Sequence, residues 1–360
     1  MELTDFLKGE SKKINAVVMP DLFLDRLISI NWNLKDFTRK LKAVTEKKGG
    51  SIDNIKQTEL RGGNAINTAS ALAALGAEVT PIVATDELGL QLTKFYFRKR
   101  KANLTHLKIF NEPSITTALE FETQTGKTNI MLRDVGALAD FGPQNLKAED
   151  FDAIRRSDYV CVFNWAGTKR HGTTLAETVF KHAKTRGKSK TYYDTADPTP
   201  NAEKIPQLMR ILRGNYVDIL SLNENEAICY GSSLIEKRKK LQKNVGLEEQ
   251  AKECARALAQ HLSARIDLHT TRFATTFTRK NETIVPALKV PALRATGAGD
   301  AWNAGNIIGD ANELSDTCRL TLANAVAAYY ISNPEGKHPT REQLRKFCQN
   351  HSHKTTSKSF

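Results

Sequence analysis

The chain has 360 residues, of which 40% are hydrophobic and 26% charged. That is too long for a disulfide-stapled miniprotein and too apolar for a disordered chain, so it can bury a sizeable core. Lys plus Arg outnumber Asp plus Glu by 53 to 40, a net +13, which points to anionic partners: nucleic acid, a membrane surface or phosphorylated small molecules.

The first twelve residues are polar, lack an apolar stretch of leader length and are expected to fray. Ile14–Met19 reads as a buried strand. From about Gly50 to Arg61, polar and apolar residues alternate without a helical period. Ala65–Leu75 has helical spacing and is closed by Gly76. Val79–Ala84 reads as the next strand. From about Leu107 to Arg133 the alternation returns, with Thr125-Gly126-Lys127 as a hairpin turn, so these two regions predict a small separate antiparallel sheet. Tyr159–Phe163, Thr191–Tyr193 and Asp218–Leu222 are further short strands, separated by helical stretches Thr174–Lys184 and Ala202–Leu212. Glu248–Leu262 places Ala251, Cys254, Ala255, Leu258 and Leu262 on one stripe, a helical period. Alternating strands and helices at this spacing predict right-handed crossovers and a mainly parallel sheet covered on both faces. The apolar run Leu322–Ile331 is about half of what a membrane span needs, and residues 351–360 are expected to fray. Five cysteines, odd in number and widely spaced, argue against a disulfide framework or a structural zinc site and for free thiols in a reducing cytoplasm.

Four short segments carry chemistry. In Thr296-Gly297-Ala298-Gly299-Asp300, followed by Ala301-Trp302-Asn303-Ala304-Gly305, small residues open a helix whose first amides can hold an anion, most simply a phosphate. Asp300 would repel that phosphate unless it accepts the proton of an attacking hydroxyl. The plainer alternative is an Asp stabilised by the helix dipole after a glycine turn. Arg61-Gly62-Gly63-Asn64-Ala65-Ile66-Asn67 lets a sugar-sized ligand lie against backbone, with Asn67 offering donor and acceptor to vicinal hydroxyls, or it is a tight turn before a helix. Asn223 and Glu226, just past a strand, are oxygen ligands suited to hydrated Mg²⁺, or a helix-capping box. Asp21 and Asp25, after the first strand, can accept hydrogen bonds from sugar hydroxyls.

In this order the four segments resemble the ribokinase/PfkB carbohydrate kinase family, over roughly residues 14–345. Thr296–Gly305 is similar to its C-terminal signature, Gly62–Gly76 with Asp86–Gly89 to its N-terminal one, and Asn223–Glu226 to its NxxE element. The chain looks like a divergent, archaeal-type member. The resemblance implies a three-layer α/β/α sandwich with a mainly parallel central sheet and a small antiparallel β lid. It implies a single domain over 1–345, lid strands drawn from about 50–61 and 107–133, and a polar tail at 346–360. It further implies Asp300 as catalytic base, an anion hole at Gly297, Ala298 and Gly299, and acceptor binding at Asp25, Gly62, Gly63 and Asn67. Arg133, in the lid, would meet a substrate phosphate. Asn223, Thr296, Gly297 and Gly299 would bind nucleotide, and Glu226 with Asn223 would handle Mg²⁺. The expected reaction moves the terminal phosphoryl of ATP, or of another nucleoside phosphate such as ADP, to a hydroxyl of a sugar, sugar phosphate or nucleoside. A homodimer through the lid is expected, and no membrane or nucleic-acid partner.

Departures from the family pattern sharpen other expectations. Arg294 stands two residues before Thr296, where the family commonly has an Asp that helps bind a monovalent cation, so no potassium requirement is expected. His269–Ala274 lacks the family's glycine-containing turn, and Trp32–Lys48 is long enough to add a helix. Phe23, Trp165 and Tyr193 are candidates to stack a nucleoside base. A reading from another class, a nucleic-acid-binding protein on a retired kinase fold, would use Lys237–Lys240. It lacks a nucleic-acid module and aromatics interleaved with the basic runs.

Overall fold

Successive residues of the first strand feed two different cores. Val17 and Met19 belong to one buried cluster, Ala16 and Val18 to the other. Side chains alternate across a strand, so a run that is apolar at every position marks a sheet covered on both faces. The computed structural model describes residues 3–123, 126–236, 246–294 and 296–356.

Along the chain, helix α1 (Leu3–Lys8) leads to strands β1 (Asn15–Met19) and β2 (Phe23–Ile30), then α2 (Leu34–Glu46). Next come β3 (Lys56–Gly62), α3 (Asn64–Ala74), β4 (Glu78–Pro81), β5 (Ala84–Thr85) and α4 (Glu87–Phe97). Strands β6 (Lys108–Ile109), β7 (Ser114–Thr123) and β8 (Gly126–Asp134) precede α5 (Ala148–Arg156), β9 (Tyr159–Phe163), α6 (Gly172–Arg186) and β10 (Lys190–Asp194). Then follow α7 (Ile205–Leu212), β11 (Ile219–Leu222), α8 (Glu224–Glu236), α9 (Leu247–His261), β12 (Arg265–His269), β13 (Phe273–Phe277) and β14 (Glu282–Pro286). Helices α10 (Ala298–Ala311), α11 (Asp316–Ser332) and α12 (Arg341–Thr356) complete the chain.

The large sheet has eight strands in the order β14-β13-β12-β11-β10-β9-β1-β4, parallel from β12 to β4 and antiparallel at β13 and β14. One face packs on Ile154 of α5, Val179 of α6, Leu208 of α7 and Leu258 of α9. The other packs on Ile66 of α3, Ala301 and Ile307 of α10, and Leu322 of α11. The three layers implied by the resemblance are therefore present. The chain leaves β1 for β4 on one side and returns to β9 on the other. The carboxyl ends of β1 and β9 thus border a switch point, where open parallel sheets hold their ligands.

A second sheet, β3-β2-β7-β8, forms the lid. It differs from expectation in three ways. Phe23–Ile30 supplies a strand that alternation alone did not mark, and it runs parallel to β7, so the lid is mixed rather than purely antiparallel. Its strand in the earlier region begins at Lys56 rather than Gly50. Lys108–Ile109 pairs instead with Ala84–Thr85 in a separate two-stranded piece. The expected turn residue Thr125 lies outside the described residues. The added helix is α2, capped by Asn33, whose side-chain oxygen accepts from the Asp36 amide at 2.9 Å. It touches the lid through an edge contact of Phe37 on Phe121, with 5.6 Å between ring centroids.

Among the described residues, both ends differ from the expected frayed tails. Phe6 and Leu7 are buried, and Arg341 donates to the carbonyls of Phe6 and Gly9 at 2.6 and 3.0 Å. Residue 346, where the polar tail was expected to begin, lies inside α12, and Phe347 meets Tyr329 at 5.4 Å. A few well-placed apolar residues anchor a helix whose overall composition is polar. Among the described residues no helix is long and apolar enough to cross a membrane, and none of the five cysteines forms a disulfide.

Candidate active site

The carboxyl ends of the parallel strands collect several buried polar groups, among them Asp21, Asn164, Asp194 and Glu226. After β1, Asp21 is fully buried and accepts from the amides of Asn64 and Ala65 at 2.8 and 2.9 Å and from Asn164 Nδ2 at 2.8 Å. Asp21 therefore caps α3 from outside that helix, and Asn164, just past β9, ties the switch point together. Burial pushes its carboxyl up, against those hydrogen bonds. Gly63, at φ 97°, lets the chain pass: a β-carbon there would stand 2.8 Å from the Asp21 carbonyl oxygen.

The first turn of α3 meets the first turn of α10. Asn64 Nδ2 donates to Asp300 Oδ1 at 2.8 Å, and Asn67 Nδ2 donates to Asp300 Oδ2 at 3.0 Å. Asp300 is only 5% exposed. Burial pushes its carboxyl well above the usual range; the two amides oppose this, and the charges of Asp194 and Asp21 add to it. Gly297 is the left-handed N-cap residue of α10, at φ 81°, and a β-carbon there would meet the Tyr330 hydroxyl at 2.8 Å. The amides that follow open onto a cleft of about 780 Å³ bordered by Gly297, Ala298, Gly299 and Asp300. Such a volume suits a nucleotide-sized ligand.

Three further groups line this cleft from the sheet. Asp194 ends β10 and accepts from Asn303 Nδ2 of α10 at 2.6 Å. Glu226 is 2% exposed in the first turn of α8. Its carboxylate accepts from the Asn223 amide and from Asn223 Nδ2 at 2.9 and 2.8 Å, while Asn223 Oδ1 accepts from the Glu226 amide at 3.0 Å. The capping box and the cleft position thus coexist in the same pair. Burial, then the Asp194 charge, raise the Glu226 carboxyl well above its usual range. His269 ends β12, lies tilted against the Trp302 ring with centroids 4.9 Å apart, and lies against Gly299. Burial lowers its imidazole to about 4, so it is neutral near pH 7.

Asp25 sits on the lid, where β2 pairs it with Leu60 and Thr116. Its Oδ1 is buried and has no hydrogen-bond partner among the described residues. Burial raises it to about 6, against Thr116 and Arg133, with Asp21 adding to the rise. Gly62 touches its carboxylate so closely that any β-carbon would overlap it. Arg133 lies on the same face of the lid, its guanidinium 5.0 Å from the Phe23 ring centre.

The structure therefore gathers Asn67, Gly63, Gly297, Ala298, Gly299 and Asp300 at one junction, with Asn223 and Glu226 across the cleft and Asp25, Gly62 and Arg133 above it. Thr296 stands apart from the cleft, lining a cavity of about 300 Å³ beneath the lid with Arg294 and Tyr330. Trp165 and Tyr193 are core residues, at 2% and 0% exposure. The basic run Lys237–Lys240 lies outside the described residues. Sequence reasoning missed Asn64, Asp194 and His269 as site residues. The last two share one signal, a polar residue closing a short parallel strand.

Among the described residues no cluster of three or more His, Cys, Asp or Glu side chains is arranged to hold a metal ion. Asp194 and Glu226, which form no ion pair among the described residues, still suit hydrated Mg²⁺, which takes few protein ligands and keeps its waters.

The family model for pfkB family carbohydrate kinases matches residues 33–343. No curated protein matches the chain. Among solved structures, a probable sugar kinase from Rhizobium etli is 15% identical with a TM-score of 0.71, covering 95% of this chain and 99% of its own. Adenosine kinase from Sinorhizobium meliloti is 17% identical, with a TM-score of 0.70 over 94% of this chain and 99% of that one. Arabidopsis thaliana ribokinase, solved with ribose and ATP, is 18% identical with a TM-score of 0.66 over 93% and 99%. At these identities the structures establish the fold, while the family model, spanning both glycine signatures and the strands between them, establishes membership. This chain belongs to the pfkB family of carbohydrate kinases and is a phosphotransferase acting on an alcohol group.

Proposed function

We propose that this kinase transfers the terminal phosphoryl group of ATP to a hydroxyl of a sugar or sugar derivative, with Asp300 as the base. The observation that carries this reading is the buried Asp300 carboxylate, held by Asn64 and Asn67 beside the α10 amides. Asp300 takes the acceptor's proton as its oxygen attacks phosphorus. The bond to the bridging oxygen breaks, and the nucleotide leaves one phosphoryl group shorter. The raised proton affinity of Asp300 suits this task. The amides of Ala298 and Gly299 and the α10 dipole favour the negative charge on the transferring group. The apolar wall formed by Leu288, Val290 and Ile331 in the same cleft suits a nucleotide base. ATP, or another nucleoside phosphate such as ADP, fits there; the Arabidopsis relative was solved with ATP and a ribokinase from Cryptococcus neoformans with ADP.

Glu226, with Asp194 beside it, would hold the Mg²⁺ that accompanies the nucleotide, and Asn223 orients Glu226. When bound, that ion supplies positive charge to the phosphoryl oxygens. A putative ribokinase II from E. coli was solved with ATP and Mg²⁺.

Asp25 and Asn67 would fix the acceptor's hydroxyls, and Arg133 above them supports a phosphorylated sugar as one acceptor class. Nucleosides form the other, in line with the adenosine kinase fold likeness. Ile115, Ile130 and Leu132 lie exposed on the lid face opposite Asp25 and would join two copies. Five cysteines without a disulfide suit a reducing compartment such as the cytoplasm. A coupled phosphoryl-transfer screen of sugars, polyols, sugar phosphates and nucleosides against several nucleotides tests the reading. A blank panel from folded protein overturns it.

A further inference from the structure

Behind the α3 N-terminus lies a second cavity of about 590 Å³, which shares no lining residue with the nucleotide cleft. Arg61, Arg98, Lys99 and Arg100 line it from β3 and the end of α4, and Lys337 and His338 from the loop before α12. Its two carboxylates are already engaged: Glu59 pairs with Arg26 at 2.6 Å, and Glu335 pairs with Lys337. Among the described residues, Arg61, Arg98, Lys99 and Arg100 form no ion pair.

Arg61 is the telling member. Its Nε donates to Asn67 Oδ1 at 3.0 Å, and Nη2 lies 3.3 Å from His338 Nδ1. Both partners are neutral, so a largely enclosed guanidinium has no counter-charge in contact. Burying such a charge is costly unless an anion joins it. His338 is 4% exposed and stacks on Tyr330 with centroids 4.5 Å apart. Accepting from Arg61 at Nδ1 leaves the proton on Nε2, and that buried Nε2 has no partner among the described residues.

We propose that this cavity is a second, non-catalytic anion site that takes the phosphoryl group of a small phosphorylated metabolite. Arg61 and His338 supply buried donors, and Arg98, Lys99 and Arg100 supply the surrounding charge. A phosphoryl group fits better than a single carboxylate, because its three oxygens can satisfy several convergent donors and its double charge matches the unpaired cations. The cavity exceeds a phosphate alone, and the Tyr96 and Tyr330 rings on its wall suit an organic portion. Arg61 also touches Asn67, so the site adjoins the Asp300 junction from behind.

The test is calorimetric titration of the full chain with inorganic phosphate, ribose 5-phosphate and AMP. Wild type is compared with the double variant Arg98→Gln/Arg100→Gln, and melting in phosphate-free buffer checks its fold. Loss of two charged donors should weaken the strongest of these ligands about tenfold or more. Among ligands whose binding weakens in the double variant, tighter binding of an ester than of inorganic phosphate identifies an organic phosphate as the occupant, and the reverse identifies the free ion. Equal affinity in the double variant, or no binding by wild type at millimolar ligand, overturns the proposal. Phosphoryl transfer is measured separately, so a failure here is distinguishable from a failure of the catalytic reading.

Discussion

The carboxylate of Asp25 rests on the α-carbon of Gly62, and no β-carbon fits between them. The contact joins β2 to the end of β3, one residue before Gly63 turns the chain into α3. Gly62→Ala should therefore displace Asp25 without touching Asp300. A displacement on the order of 1 Å costs up to about 10²-fold in efficiency. We expect the loss chiefly in acceptor KM, with nucleotide KM and the melting temperature close to wild type. Steady-state kinetics with each substrate varied in turn checks this, and an unchanged acceptor KM would remove Asp25 from the acceptor site.

Asp300→Asn should lower turnover by about 10²–10⁴. The buried charge is lost while the side chain's shape is kept, so folding at neutral pH should survive. As the proposed base, Asp300 would work only when ionised, and burial raises its proton affinity. Turnover should thus climb as pH rises through the raised value and then level off. Near-normal turnover by the Asn variant would displace the base from this residue.

Asp25 should make stability and acceptor binding respond to pH in opposite directions. Its carboxyl is raised to about 6 in the fold from an ordinary 3.8. A raised value means that protonation favours the folded chain. That contribution is complete below about 4 and disappears as pH rises through about 6. If Asp25 binds the acceptor in its ionised form, as proposed, acceptor affinity should fall over the same window on acidification. Asp25→Asn should raise the melting temperature at pH 7, flatten the acid limb of acceptor KM and weaken the acceptor. Thermal melts and KM measured from pH 4 to 8 test all three.

Arg294 Nη2 donates to the carbonyls of Asn333 and Pro334 at 2.8 and 3.0 Å. Gly336, at φ 64°, leaves room for the same guanidinium. As a fixed cation on these carbonyls, Arg294 would do what a bound alkali ion does in the family pattern. Turnover should be indifferent to added potassium, and Arg294→Ala should lower it and make it respond to potassium. A steep potassium activation of the wild type would contradict this.

Arg319 of α11 is 1% exposed. It pairs with Asp267 of β12 at 3.1 Å and with Asp316 at 2.9 Å, and it also touches Asn306 of α10. Arg319→Ala leaves Asp267 buried beside Arg265 alone, and Arg319→Met restores volume without charge. Breaking such a pair costs about 3–5 kcal/mol, and an apolar replacement costs less. Denaturant unfolding should rank wild type first, Met second and Ala last.

Much of the fold was legible because its cause is local. Continuous apolar runs such as Tyr159–Phe163 mark strands covered on both faces, and the stripe on Glu248–Leu262 marks α9 to within a residue at each end. The lid was less legible. In β2, Asp25, Arg26 and Ser29 interrupt the apolar pattern, and its parallel pairing with β7 depends on a partner some ninety residues on. Helix α1 hid for a similar reason: Leu3, Phe6 and Leu7 are three apolar residues in a polar stretch, and packing against α11 and α12 makes their burial worthwhile.

By itself the sequence determined the alternation of strands and helices, the glycine-opened N-terminus of α10 with Asp300 in its first turn, and the Asn223–Glu226 cap. Backbone freedom, capping chemistry and hydrophobic period act within a few residues. Only the tertiary structure decided what faces Asp300. Asn64 and Asn67 reach it across 236 and 233 residues of chain, and Asp194 and His269 arrive on separate strands. Those meetings depend on strand order and on how α3 and α10 pack against one face of the sheet. Packing is a property of the whole molecule, because each contact is made only when the surfaces around it are buried together.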